Sequence, residues 1–203
     1  MGALTVAMFM TIDGYTQTVE RSLIAPAWAG DMQEHWSGAN AHEGQLLLYG
    51  RTAFLENSTI WPAAAVDARG PDEHRAFAVT MNALPKVVVS ATLTDPGWNA
   101  TVESGPLPEV IERVKGGFDG EIVAVGGVSL VRSLVASGLV DRYRLLVMPR
   151  IAGSGISIFD GEHSPRDLEL VSQQTLSTGS VILEYQPDAA NNEGMDSGFT
   201  RGG

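Results

Sequence analysis

The sequence predicts an α/β fold: a mostly parallel central sheet flanked by helices, with antiparallel strands toward the C-terminus. Three observations predict it. Short apolar runs lack polar alternation, helix-period segments lie between them, and beyond Asp141 the chain changes to strands joined by loops too short to hold helices.

Leu4 to Thr11 is the first run, closed by Asp13-Gly14, and an apolar stretch of this kind reads as a strand buried on both faces. Gln45 to Tyr49, Lys86 to Ser90 and Ile122 to Val125 repeat it. Helical segments intervene at Asp31 to Ala41, Thr52 to Asn57, Pro71 to Asn82 and Leu107 to Lys115, with Pro71 at a first helical position. Parallel neighbours need a crossover, usually a helix, so this alternation implies parallel pairing. After Gly126-Gly127, Val128, Val131, Leu134 and Val135 fall at helical spacing, and Gly138 stops the helix. Tyr143 to Met148, Ile156 to Phe159, Leu168 to Gln174 and Val181 to Tyr185 then read as strands with antiparallel partners. Residues 1–187 form one domain. Residues 188–203 lack periodicity and read as a flexible tail.

Composition narrows the function. With 44% hydrophobic and 18% charged residues the chain is globular rather than disordered. Thirteen Lys plus Arg against 24 Asp plus Glu leave a net charge of −11, which repels a phosphate backbone, so no nucleic-acid partner is expected. Cysteine is absent, which excludes a disulfide framework, a thiolate nucleophile and Cys-ligated zinc. The four histidines, His35, His42, His74 and His163, form no HExxH pattern, and no metal site is assigned. The apolar N-terminus lacks a basic flank and no segment is long enough to span a bilayer, so a cytoplasmic protein without membrane contact is expected.

In a parallel sheet the C-terminal strand ends share one edge, and ligands bind in the crevice there. The first four strands end in Thr11-Ile12-Asp13-Gly14-Tyr15, Gly50-Arg51-Thr52, Ser90-Ala91-Thr92 and Gly126-Gly127-Val128-Ser129. Gly126-Gly127 stands between a β-branched strand and a helix whose first N–H groups lack partners, where backbone without a Cβ could approach a pyrophosphate; it reads equally as a tight turn. A Cβ added at Gly127 is expected to block the pyrophosphate and leave the fold largely intact. Arg51 could take a phosphate in its guanidinium fork, with Thr52 and the helix N–H groups beside it, or stand solvated. Asp13 reads as a turn former, bonding its own backbone ahead of Gly14, or as a residue with a direct catalytic role. Asp31, Glu34 and His35 share one helix face beside Trp36, and could overhang the crevice or simply be solvated.

Several strings occur in the order of a known family: Met-Thr-Ile-Asp-Gly-Tyr at 10 to 15, Leu-Tyr-Gly-Arg-Thr at 48 to 52, Met-Asn-Ala-Leu-Pro-Lys-Val-Val-Val-Ser at 81 to 90, Val-Gly-Gly-Val-Ser-Leu-Val at 125 to 131 and Gly-Leu-Val-Asp-Arg-Tyr-Arg-Leu-Leu-Val-Met-Pro at 138 to 149. Over residues 3 to 185 the chain resembles the dihydrofolate-reductase-like family that includes the C-terminal reductase domain of the riboflavin-biosynthesis deaminase/reductase. The resemblance implies a homodimer that moves hydride from NADPH to a small heterocyclic substrate of the pterin or ribosylaminopyrimidine type. It implies that Gly50, Arg51 and Thr52 contact adenosine-side phosphates, Ser90 the 2′-phosphate region, and Gly126, Gly127, Val128, Ser129 and Leu130 the pyrophosphate. Asp13 and Tyr15 would line the nicotinamide and substrate side, Asp13 being the catalytic candidate, with Trp36 against the substrate. It also implies a cis peptide between Gly126 and Gly127. Where many relatives carry a basic residue after the serine, this chain has Ala91. The alternative is a non-catalytic dinucleotide- or flavin-binding protein on the same fold.

Overall fold

The computed structural model describes residues 1–161 and 165–188. Among them, β1 (Ala3–Thr11), β2 (Gln45–Gly50), β3 (Lys86–Val89), β4 (Ala100–Glu103), β5 (Glu121–Gly126), β6 (Arg142–Met148), β7 (Leu168–Thr175) and β8 (Val181–Pro187) form one sheet. Its order is β4-β3-β2-β5-β1-β6-β8-β7. Pairing is parallel from β4 to β6, and antiparallel between β6 and β8 and between β8 and β7.

The central position of β1 explains its unbroken apolar run, because every residue from Leu4 to Met8 is buried. Leu4, Val6, Met8 and Met10 face one core with the helices Leu107–Gly117 and Val128–Ser137. Ala7 faces a second core with Tyr49, Leu146 and Met148, closed by the helices Arg51–Val66 and Asp72–Ala83 and by Met32 and Trp36. The Val128–Ser137 helix ends as predicted, with Gly138 at φ +72.

Several expectations are corrected. The second helix does not stop at Asn57; it runs Arg51–Val66 through Pro62, which removes one N–H donor without ending it. Pro71 occupies the N-cap, and the helix begins at Asp72. The segment Asp31 to Ala41 is helical but interrupted, with a π turn at Gln33–Ser37 between Gly30–Met32 and Gly38–Asn40. Ile156 to Phe159 is not a strand: Ile156 makes a single bridge to Gln17, and Ile158 is apolar because it is buried in the core. No cis peptide bond occurs among the described residues, so the Gly126–Gly127 bond is trans. Residues 189–203, nearly all of the expected tail, lie outside the described residues.

Candidate functional site

The two central strands part company toward their C-terminal ends. β1 pairs with β5 from Ala3↔Glu121 to Val6↔Ala124 and no further, while its pairing with β6 continues to Thr11↔Met148. Topology produces this crevice: the chain leaves β1 to one side, toward β2, and leaves β5 to the other, toward β6. A cavity of about 380 Å³ fills the opening, lined by Ala7, Met8 and Phe9 of β1, by Val125, Gly126 and Gly127, and by the rings of Trp28, Trp36, Tyr49, Trp61 and Phe77.

Beside the cavity two helix N-termini meet glycine to glycine. Arg51–Val66 starts directly after Gly50, and Val128–Ser137 directly after Gly127; neither has a side-chain cap. A Cβ on Gly127 would lie 3.2 Å from both Cα and N of Gly50, and one on Gly50 would lie 3.3 Å from Leu130 Cβ. Gly127 also adopts φ +89, a conformation that L side chains rarely take. First-turn N–H groups have no intrahelical acceptor, so two such ends side by side present donors and positive dipole ends to an anion.

The structure therefore brings Gly50, Arg51, Thr52, Gly126, Gly127, Val128, Ser129 and Leu130 together. Arg51, Thr52 and Ser129 are exposed, whereas Val128 and Leu130 turn into the core. Ser90 follows β3, whose Val89 registers with Gly50, and its Oγ accepts the N–H groups of Thr92 and Leu93 at 3.2 and 3.1 Å. Trp36 lines the cavity, 4.9 Å from the Phe9 ring.

Asp13 and Tyr15 are not among the cavity's lining residues. The Asp13 carboxylate accepts from Thr11 Oγ1 at 2.6 Å, from Ala152 N at 3.1 Å and from Gly153 N at 2.8 Å, tying the end of β1 to the loop after β6. The Thr11 hydroxyl, followed by the two backbone donors, lowers its carboxyl from 3.8 to about 2. A depressed folded value means the contribution is present above 3.8 and lost as pH falls toward 2. Asp13→Asn is accordingly expected to flatten the pH dependence of stability in that window, as measured by urea unfolding; an unchanged slope would remove the clamp. Tyr15 is half-buried against the second core. Asp31 accepts from Ser177 N and Oγ, fixing the turn between β7 and β8, and this lowers its carboxyl.

Sequence reasoning missed most of the cavity's lining. Ala53, Glu56 and Asn57 share one face of a helix, and Trp61 follows at i+4 from Asn57; stopping that helix at Asn57 hid the tryptophan. Asn57 Oδ1 accepts from Trp61 Nε1 at 2.6 Å and fixes the indole. Ser37 and Tyr49 also line the cavity, while their hydroxyl oxygens are themselves buried behind its wall without a hydrogen-bond partner. Burial pushes the Tyr49 phenol up, so it stays a neutral donor.

A buried ion network holds the cavity's interrupted helix on the sheet. Arg144 donates from Nη1 to Ala39 O at 2.9 Å and Asn40 Oδ1 at 2.7 Å, and Asn40 Nδ2 donates to Trp36 O at 2.9 Å. The same guanidinium pairs with Glu121 at 3.1 Å and Glu184 at 2.7 Å. Burial pushes Glu121 up, but Thr5, Arg144 and Gln45 together outweigh it and hold the carboxyl below its ordinary value.

Comparison with known proteins follows the same lines. Residues 3–182 match the RibD C-terminal domain family. An uncharacterised Bacillus subtilis (strain 168) protein, YyaP, is 27% identical over 139 residues, 68% of this chain and 72% of that protein. A putative riboflavin biosynthesis protein from Shewanella sp. PV-4 is similar in structure with a TM-score of 0.69 at 16% identity, over 92% of this chain and 99% of that one. Dihydrofolate reductase from Enterococcus faecalis, solved with NADP(H), gives 0.59 at 12% identity over 92% and 96%. The fold is thus dihydrofolate-reductase-like. No helix among the described residues is long and apolar enough to cross a membrane.

Proposed function

Because the chain belongs to the RibD C-terminal domain family, we propose that it is a cytoplasmic reductase acting with NADPH on a small heterocycle, of the kind found in riboflavin or folate metabolism. The observation that carries this reading is the pair of uncapped, glycine-ended helix N-termini packed against each other beside the β1/β5 cavity. NADPH would supply the hydride.

The residues fit such a cofactor, since the missing Cβ atoms at Gly127 and Gly50 let two uncapped helix N-termini pack side by side with their first-turn donors unpaired. The first-turn N–H groups of the two helices, with Thr52 and Ser129, hold the pyrophosphate. Arg51, whose guanidinium has no hydrogen bond or ion pair among the described residues, holds the adenosine 2′-phosphate with Ser90. The parted ends of β1 and β5 admit a planar ring, and the aromatic walls exclude water around it. The exposed edge strand β7, with Leu168, Leu170 and Val171 accessible, supports a second copy as partner.

Cofactor choice tests the assignment. One guanidinium on a doubly charged phosphate gives about 1.5–3 kcal/mol, a preference for NADPH over NADH of roughly ten- to a hundredfold. Titrating both cofactors into Arg51→Ala should show that preference erased with NADH binding little changed. Equal losses for both would move Arg51 to the shared pyrophosphate or to the fold, and no loss in either would return it to the solvated surface. NADPH oxidation over a panel of pterins, flavins and aminopyrimidines separates a reductase from a non-catalytic binder.

A further inference from the structure

Among the described residues, the cavity between β1 and β5 is lined by no Lys, Arg or His, and the one charged lining residue is Glu56. That carboxylate, exposed on the Arg51–Val66 helix, has no hydrogen bond or ion pair among the described residues. The two lining asparagines are already committed. Asn40 joins Trp36 O to Arg144, and Asn57 joins Ala53 O at 2.8 Å to the Trp61 indole. An adjoining groove of about 660 Å³ shares Trp28 and Trp61 with the cavity and adds Glu34 and Glu73 against His74. Arg51 stands at the start of the Glu56 helix but does not line either space.

A substrate phosphate placed among the rings, away from the Gly126–Val128 end assigned to the cofactor, would shed water, face Glu56 and find no cation to replace its hydration. A flat ring meets the opposite situation, with Phe9, Trp36, Trp61 and Phe77 for its faces and an uncommitted carboxylate for N–H groups on its edge. Resting on the reductase reading, we propose that the substrate is a planar heterocycle bearing N–H donors and no phosphate, with Glu56 accepting hydrogen bonds from its edge. Of the two substrate types named above, this separates the unphosphorylated ring compounds from the phosphoribosyl esters.

The test uses two matched pairs, riboflavin with FMN, and a ribosylaminopyrimidine with its 5′-phosphate, titrated calorimetrically into the full chain with and without saturating NADP⁺. The unphosphorylated member of each pair should bind at least about tenfold tighter, and Glu56→Gln should cost it about tenfold. Glu56→Lys should reverse the preference toward the phosphate esters. A phosphate ester that binds the parent protein as tightly as its partner, no binding by any of the four, or an unchanged ring affinity in Glu56→Gln would overturn the proposal. Binding of NADP⁺ is read in the same titrations: its failure strikes the reductase reading, while the ring preference is still measured in the free protein.

Discussion

Gly127→Val should lower NADPH affinity by more than about a hundredfold and destabilise the protein by about 1–3 kcal/mol, the cost of holding a side chain in a sparsely populated backbone region. The second effect departs from the sequence expectation that the fold would tolerate the change. Gly127 sits at φ +89 and ψ 83, and its new Cβ would meet backbone atoms of Gly50 at 3.2 Å, which cannot swing away as a side chain could. The β-branched valine is the poorest residue for that conformation. Ser129→Glu keeps the two effects apart. Ser129 is exposed in the first turn, where a carboxylate favours the helix by about 0.3–1 kcal/mol while repelling a bound pyrophosphate. Stability measured by urea unfolding should hold or rise in Ser129→Glu, and NADPH binding should fall at least about tenfold. A folded Gly127→Val that binds NADPH as the parent does would remove the phosphate role from this turn.

Arg144→Met should destabilise the protein by about 2–4 kcal/mol at pH 7, between the values for a surface and a fully buried pair, because it removes a buried cation from between two half-buried carboxylates. Glu121 and Glu184 both lie against that guanidinium, and Ala39 O and Asn40 Oδ1 lose their donor at the same time. The pH dependence weakens as well. In the parent the Glu121 carboxyl is held below its unfolded value, so its contribution is present above that value and lost as pH falls. Without Arg144, only Thr5 and Gln45 hold the carboxyl down against burial and the neighbouring Glu184, so less stability is gained as pH rises through the carboxylate range. Urea unfolding between pH 4 and 7 on the parent, Arg144→Met and Arg144→Met/Glu121→Gln reads this directly: the double variant should recover part of the loss. A loss below about 1 kcal/mol would make this pair no better than a surface one.

The legible parts of this fold were those in which one physical cause dominates. β1, β2, β5 and β6 are enclosed by helices on both faces, so their apolar runs carry no competing signal. β4 was missed because Ala100–Glu103 lies at the sheet edge with no buried residue and so needs no apolar pattern. Ile156 to Phe159 was misread because burial of Ile158 in a loop produces the same residue types as a strand. The glycine turns were legible since a missing Cβ is visible in sequence, and Gly50 with Gly127 is where the space is tight. The cavity was not. Trp36 was reached only through the family resemblance, Trp28 comes from an irregular loop, Ser37 is set by a π turn that no period announces, and Glu56 is an exposed charge on a helix like many others. Asp13 was legible as a turn former, and its carboxylate is committed to that loop.

Thermal unfolding of the parent and of Ser129→Glu, each with and without NADPH, tests the central claim most directly, because a ligand that binds the folded state must stabilise it. At a hundred times Kd the gain is about 2.7 kcal/mol, which for a chain of this size is a rise in Tm of roughly 5–11 °C. The account predicts that rise in the parent and its loss in Ser129→Glu at the same NADPH concentration. No rise in the parent, or an equal rise in Ser129→Glu, would contradict a dinucleotide site at the paired helix N-termini.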